Sequence, residues 1–234
     1  MHLADIDHLA FRGHSLWHRA SAPSKMFFSL AVIFGVITEH GPLLLALTLV
    51  LHLGLLQVAG VSLRRFGHLL FYPALFAGLF ALTRPAASWV GPLTVVIKSL
   101  TAASSLLLLA ATTGAPVIFG MLRWLLPAAL ADALFLTYRS FFILVERLGN
   151  FLTALKMKGG YSPAKLLLNL RSAAAALGVL LIYSLEAAER MDKILTLRGY
   201  RTGIFLEGGW YRPTRYDLGP VLLGLVILMG VVML

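Results

Sequence analysis

The chain has 234 residues, 59% of them hydrophobic and only 13% charged, with a mean hydropathy of +0.86. A soluble domain carries about 25% charged residues, so the composition excludes an ordinary soluble domain and points to an integral membrane protein. The net charge of +10 is spread thinly through apolar sequence, which argues against nucleic acid and suits loops facing an anionic leaflet or an acidic protein partner; the absence of cysteine excludes disulfides, thiol catalysis and cysteine-bound metal.

Residues 1–24 form a polar segment with His2, His8, His14 and His18 beside Arg12 and Arg19. The histidines invite a metal reading, but no pair has a matching partner cluster or an H-E-x-x-H context, so exposed polar histidines are the plainer expectation. The segment does not read as a cleavable signal peptide. Residues 25–113 hold four apolar runs: Met26–Thr38, Leu43–Val61, Phe66–Leu82 and Pro92–Thr113. A membrane-crossing helix needs about 20 apolar residues. The first run is short, so its helix is expected to begin before Lys25, whose long side chain can snorkel. Breaks fall at Glu39-His40-Gly41-Pro42, Arg64-Arg65 and Thr83-Arg84-Pro85, while Pro73 and Gly78 are tolerable inside a membrane helix. Lys98 lies near the start of the fourth run and is read as snorkelling.

Residues 114–203 differ, being apolar but studded with charge from Arg123 through Asp132, Arg139 and Glu146 to Lys193. Leu122, Leu125, Leu126, Leu130 and Ala133 recur at helical spacing. Pro127 should break or kink that pattern. A helix then runs towards Lys158. Another is expected from Ser162-Pro163, a hydroxyl cap followed by a residue preset to helical φ, to Arg198. It would be about 54 Å long at 1.5 Å per residue. Glu186 with Arg190, and Glu189 with Lys193, stand at the favourable i,i+4 spacing. Asp132 reads as an acid on a helix surface. Residues 204–234 hold an aromatic and basic interfacial stretch, including Trp210, Tyr211, Arg212, Arg215 and Tyr216, and then a last apolar run, Leu218–Leu234.

Two short signatures close the two helices of this region: Lys156-Met157-Lys158-Gly159 and Leu197-Arg198-Gly199-Tyr200. Glycine accepts the left-handed conformation that ends a helix, and a cation in the last turn meets the negative end of the helix dipole. Singly, each reads as an ordinary C-cap. Their near-identical form, in a membrane protein, marks them as a candidate functional pair. The basic residues of the N-terminus, of Arg64-Arg65 and of the stretch from Arg123 to Arg201 all face the cytoplasm if four spans precede Gly114. The fold class expected is all-α and polytopic, with about five transmembrane helices, a cytoplasmic N-terminus, and long coupling helices between residues 114 and 203.

Several chemistries have no motif here. There is no G-x-x-x-x-G-K-[ST] loop for ATP, no H-E-x-x-H and no G-x-S-x-G. No acidic residues are evidently paired for proton relay, and few polar residues fall inside the first four runs. The expectation is a non-enzyme with no cofactor of its own.

With these residues in view, the chain resembles the transmembrane coupling (T) component of energy-coupling factor transporters, and within it the CbiQ-like branch of cobalt and nickel importers. The resemblance covers most of the chain. It rests on Asp7-His8-Leu9-Ala10, Pro23-Ser24-Lys25, Leu125-Leu126-Pro127, Tyr138-Arg139 with Glu146, and above all Met157-Lys158-Gly159 and Leu197-Arg198-Gly199. Lys158 departs from the family's arginine, which keeps charge but loses a bidentate fork. Both signatures carry a larger residue for alanine, and Ala22 stands where the family often has aspartate. The resemblance implies a scaffold in the cell membrane whose two helix ends each seat in a groove on one of two ABC-type ATPase subunits. ATPase closure would move the helices and reorient a separate, metal-specific membrane subunit. The contact residues implied are Lys156, Met157, Lys158, Gly159, Leu197, Arg198, Gly199 and Tyr200. Two other classes stay open from sequence: an independent metal channel or carrier using the N-terminal histidines, and a membrane scaffold without a transport role.

Overall fold

The computed structural model describes residues 9–11, 13, 15–39, 41–61, 63–83, 90–122, 125–159, 165–200 and 214–233. Among them the regular elements are helical throughout. The chain divides into two units: Met1–Met121 with Leu206–Leu234, and Leu122–Phe205.

In the first unit a one-turn helix α1 (Leu16–Arg19) leads to α2 (Ala22–Thr38), α3 (Pro42–Val58), α4 (Leu63–Leu82), α5 (Val90–Thr112) and α6 (Ala115–Leu122). A 3₁₀ turn (Arg215–Asp217) and α9 (Leu218–Met233) complete it. The breaks match the sequence. Pro42 opens α3 at a position where a missing N–H costs nothing. Pro73 lies inside α4. α2 starts ahead of Lys25, as the short first run requires. By length and composition α5 can cross a membrane, and α2, α3 and Gly67–Leu82 are shorter apolar helices.

The core gathers Trp17, Phe28, Val32, Val36, Leu45, Leu56 and Leu108. Trp17 meets Phe28 edge-on at 5.2 Å, and the other face of the cluster stacks Phe28 on the buried His52 at 5.3 Å. α9 packs along α2, where Gly224 lets the helices close up: a Cβ there would come within 3.2 Å of the Phe27 ring.

α2 and α5 run antiparallel and are tied by polar groups at three levels. Lys25, 4% exposed, donates from Nζ to the Thr112 carbonyl at the end of α5 (2.9 Å) and to the His18 carbonyl (3.2 Å). Ser29 and Ser105 share a hydroxyl hydrogen bond of 3.1 Å. Lys98, on α5, donates to the Ile37 carbonyl at the end of α2 (3.2 Å). Each lysine therefore satisfies an orphan carbonyl in the last turn of the other helix, where the dipole favours a cation. Lys98 was expected only to snorkel; its ammonium instead has a defined partner. The small buried residues Thr101, Ser104 and Ser105 give α5 a face that allows close approach.

Asp217 joins the entry of α9 to the start of α2. Its Oδ1 accepts from the Ser21 amide (2.5 Å) and the Ser24 hydroxyl (3.2 Å), and its Oδ2 accepts from the Thr214 amide (2.8 Å). Burial alone would raise this carboxyl, but the bonds from the Ser21 and Thr214 amides and the Ser21 and Ser24 hydroxyls outweigh it, and the group is held below the usual carboxylate range. The Arg19 guanidinium lies 5.8 Å over the neighbouring Tyr216 ring.

The second unit contains α7 (Ala128–Met157) and α8 (Leu166–Leu197), each also long and apolar enough to cross a membrane. The break expected at Pro127 is present: Pro127 (φ −53°, ψ 142°) caps α7. Three sequence expectations are adjusted. The pattern ahead of Pro127 is not helical throughout, since α6 ends at Leu122 and Leu125 and Leu126 lie in a turn. The Ser162-Pro163 start signal lies outside the described residues, and α8 begins only at Leu166, after Lys165 in a non-helical conformation (φ −115°, ψ 81°). Asp132 is not a surface acid, being 4% exposed. The stretch with Trp210, Tyr211 and Arg212 also lies outside the described residues, as do His2, His8 and His14.

Candidate functional site

Both signatures close their helices as the glycines require. Lys158 caps α7 (φ −85°, ψ 4°), and Gly159 follows at φ +74°. Arg198 caps α8 (φ −83°, ψ 3°), and Gly199 follows at φ +73°. These glycines sit where an L side chain would strain the backbone. At the second tip the full Schellman pattern forms: the Gly199 amide donates to the Thr196 carbonyl (3.0 Å) and the Tyr200 amide to the Leu195 carbonyl (2.9 Å). At the first, the Gly159 amide donates to the Lys156 carbonyl at 3.2 Å. Each tip thus turns sharply away and leaves its last side chains outward. Met157 is 80% exposed and Leu197 88%, and Lys156, Lys158 and Arg198 are exposed beside them. An exposed apolar residue beside a cation at a helix end suits docking into a groove that offers both an apolar wall and an acid.

The two helices run antiparallel. Tyr200, just past the end of α8, donates from its hydroxyl to Asp132 Oδ2 in the first turns of α7 (2.6 Å). Further along, Arg147 of α7 stands 4.6 Å over the Tyr183 ring of α8. As the α7 position rises, its α8 partner falls. The structure therefore brings Leu197–Tyr200 to the start of α7 and leaves Lys156–Gly159 at its far end. From Asp132 to Lys158 is about 39 Å of helix at 1.5 Å per residue, so the two signatures form two separate tips and not one composite site.

Between the helices lies an open groove of about 550 Å³, floored by Ser140, Ser184, Ala187 and Ala188 and walled by Leu136 and Met191. Outside it the helices are bare. Leu166, Leu177, Leu181 and Leu185 are 60% exposed or more, too much apolar surface for helices in water. Of the other residues singled out in sequence, Tyr138 packs edge-on against Phe142 at 5.0 Å, and Arg139 and Glu146 are exposed. Among the described residues no three His, Asp or Glu side chains converge as a metal site. Sequence reasoning missed the partnership of Asp132 with Tyr200. The one signal for it was an aromatic residue directly after the capping glycine, the position whose side chain usually folds back in a Schellman motif.

The family model for cobalt transport protein, CbiQ, matches residues 13–205. A curated relative, the cobalt transport protein CbiQ of Rhodobacter capsulatus, is 31% identical over 116 residues, covering 50% of this chain and 45% of the relative. The chain thus aligns with less than half of that relative's length.

Proposed function

The chain belongs to the CbiQ family of cobalt transport proteins, and from that premise we propose that it is the membrane-embedded coupling component of an ATP-driven importer for cobalt or nickel. Two ABC-type ATPase subunits engage the two tips, one at Met157-Lys158-Gly159 and one at Leu197-Arg198-Gly199. The observation that carries this reading is the pair of glycine-closed, cation-bearing tips at opposite ends of one antiparallel helix pair. Two separate tips suit two partner copies, and a continuous hydrogen-bonded helix can pass a displacement from its end to its middle. The apolar flanks of α7 and α8 are the surface for lipid and for a separate substrate-binding membrane subunit that holds the metal. The chain itself performs no chemistry in this scheme: its residues bind, orient and transmit, and ATP is hydrolysed by the partners. The N-terminus faces the cytoplasm, and α7 and α8 lie along that side of the membrane rather than across it, so that both tips reach the cytoplasm.

The test is co-purification with the ATPase subunits in detergent, comparing wild type with Lys158→Glu, Arg198→Glu and the double variant. Reversing a charge in a hydrogen-bonded ionic contact costs about 2–4 kcal/mol, so retention should fall more than about tenfold at Arg198→Glu. The fall should be smaller at Lys158→Glu, because lysine makes the less directional contact. Equal retention of the double variant and the wild type would reduce both signatures to plain helix caps. If the wild type holds no ATPase while the isolated chain binds cobalt, an independent carrier replaces this reading.

A further inference from the structure

The two signatures are alike up to the capping glycine and differ at the next residue, Gly160 in the first and Tyr200 in the second. At the second, the 6→1 bond from the Tyr200 amide to the Leu195 carbonyl and the φ of +73° at Gly199 turn the chain back. That turn aims the Tyr200 ring at α7. Its hydroxyl then donates to Asp132 Oδ2 at 2.6 Å, a short bond to a carboxyl that is 4% exposed. A short O–H bond to a carboxyl buried in low dielectric is stronger and more directional than a surface contact. In the first signature the residue that follows the capping glycine is Gly160. It has no side chain with which to make an equivalent bond.

We infer that Tyr200 and Asp132 form a positioning latch that fixes the second tip to the first turns of α7, so that a displacement applied at Arg198–Gly199 moves α7 as well as α8. The inference rests on the coupling reading for its consequence but not for the latch itself. Tyr200 is then a positioning residue and not a direct ATPase contact. Its neighbours Arg198 and Leu197 meet the partner, and Tyr200 sets where they stand. The second tip then drives both helices, and at the matching position of the first signature Gly160 offers no side chain for such a bond.

The chain has no cysteine, so paired spin labels can be placed at will. Labels on Ala129→Cys and Thr196→Cys, both at exposed positions, report the distance from the start of α7 to the second tip in the isolated, detergent-solubilised full chain. The wild type should give one narrow distribution. Tyr200→Phe, which removes only the hydroxyl, should broaden it about twofold, and Asp132→Asn, which can still accept the bond, should keep it narrow. An unchanged width in Tyr200→Phe overturns the latch, whatever the ATPases do. In vesicles carrying the whole complex, Tyr200→Phe should keep ATPase retention within about twofold of wild type while cobalt taken up per ATP falls about tenfold, the scale of one lost buried hydrogen bond. Full uptake per ATP in Tyr200→Phe overturns the positioning role even where the width responds. Loss of retention as large as in Arg198→Glu makes Tyr200 a direct contact and overturns it too. A wild-type complex that never forms removes the coupling reading, and the label widths still decide the latch.

Discussion

Among the described residues the first unit builds a shared core, whereas α7 and α8 leave most of their apolar surface uncovered. The first unit has an interlocked core around Phe28 and His52, and Lys25, Ser29 and Lys98 each make a hydrogen bond from one helix to another. In the second, only 11% of the apolar window of α7 and 6% of that of α8 are buried, against 22% for α5. The first region has the makeup of a frame, with small residues at helix contacts and cations on carbonyl ends. The second is a pair of long helices joined at one end by a hydrogen bond and in the middle by a cation over a ring. On the proposed reading, the surface left uncovered between two charged tips serves partners and lipid. Within one short chain the distribution of burial separates what holds shape from what meets other molecules.

That contrast can be broken first at Lys25. Lys25→Met keeps the side chain's length but strips the Thr112 carbonyl of its buried donor, and should cost about 1–3 kcal/mol. Hydrogen exchange should rise more than about tenfold in the last turn of α5 and at the start of α2, with α7 and α8 unchanged; a change spread evenly over both units would erase the distinction. The reciprocal experiment is Gly199→Val. A β-branched residue at a φ of +73° should cost about 1–2 kcal/mol, fray the last turn of α8 and weaken ATPase retention, while α2 and α5 keep their protection. Lys98→Met should cost less than about 1 kcal/mol, because its bond to the Ile37 carbonyl is exposed. A pH dependence is expected at Asp217. The folded value of this carboxyl lies below its unfolded one, so its stabilisation is fully present above the unfolded value and is lost as pH falls through the folded value. Exchange at the start of α9 should therefore rise only in acid, and Asp217→Asn should flatten that dependence.

Much of the architecture could be read from local chemistry. Pro42 and Pro127 set helix starts because a ring without an N–H belongs there. Gly159 and Gly199 set helix ends because their backbone goes where other residues resist. What stayed hidden is what joins residues distant in sequence. Lys25 finds Thr112 and Lys98 finds Ile37, separations of 87 and 61 residues that no period reveals. Asp132 looked like a surface acid because its neighbours follow an amphipathic pattern, yet a ring 68 residues further on covers it. The tips themselves were visible as motifs. The short link between α7 and α8, from Lys158 to Lys165, cannot return the chain to the start of α7 and so sets the tips apart, but which side chains join the helices was not visible.

The two lysines of the first unit have a mechanical consequence. Lys25 holds α5 at one end of the antiparallel pair and Lys98 holds α2 at the other, with the Ser29–Ser105 contact between them. If α2 slid along α5 by a single helical turn of about 5.4 Å, all three bonds would fail together, and the buried Lys25 ammonium would lose its Thr112 acceptor. The pair is therefore stiff against axial shear. A force along the helix axes is resisted there as a load.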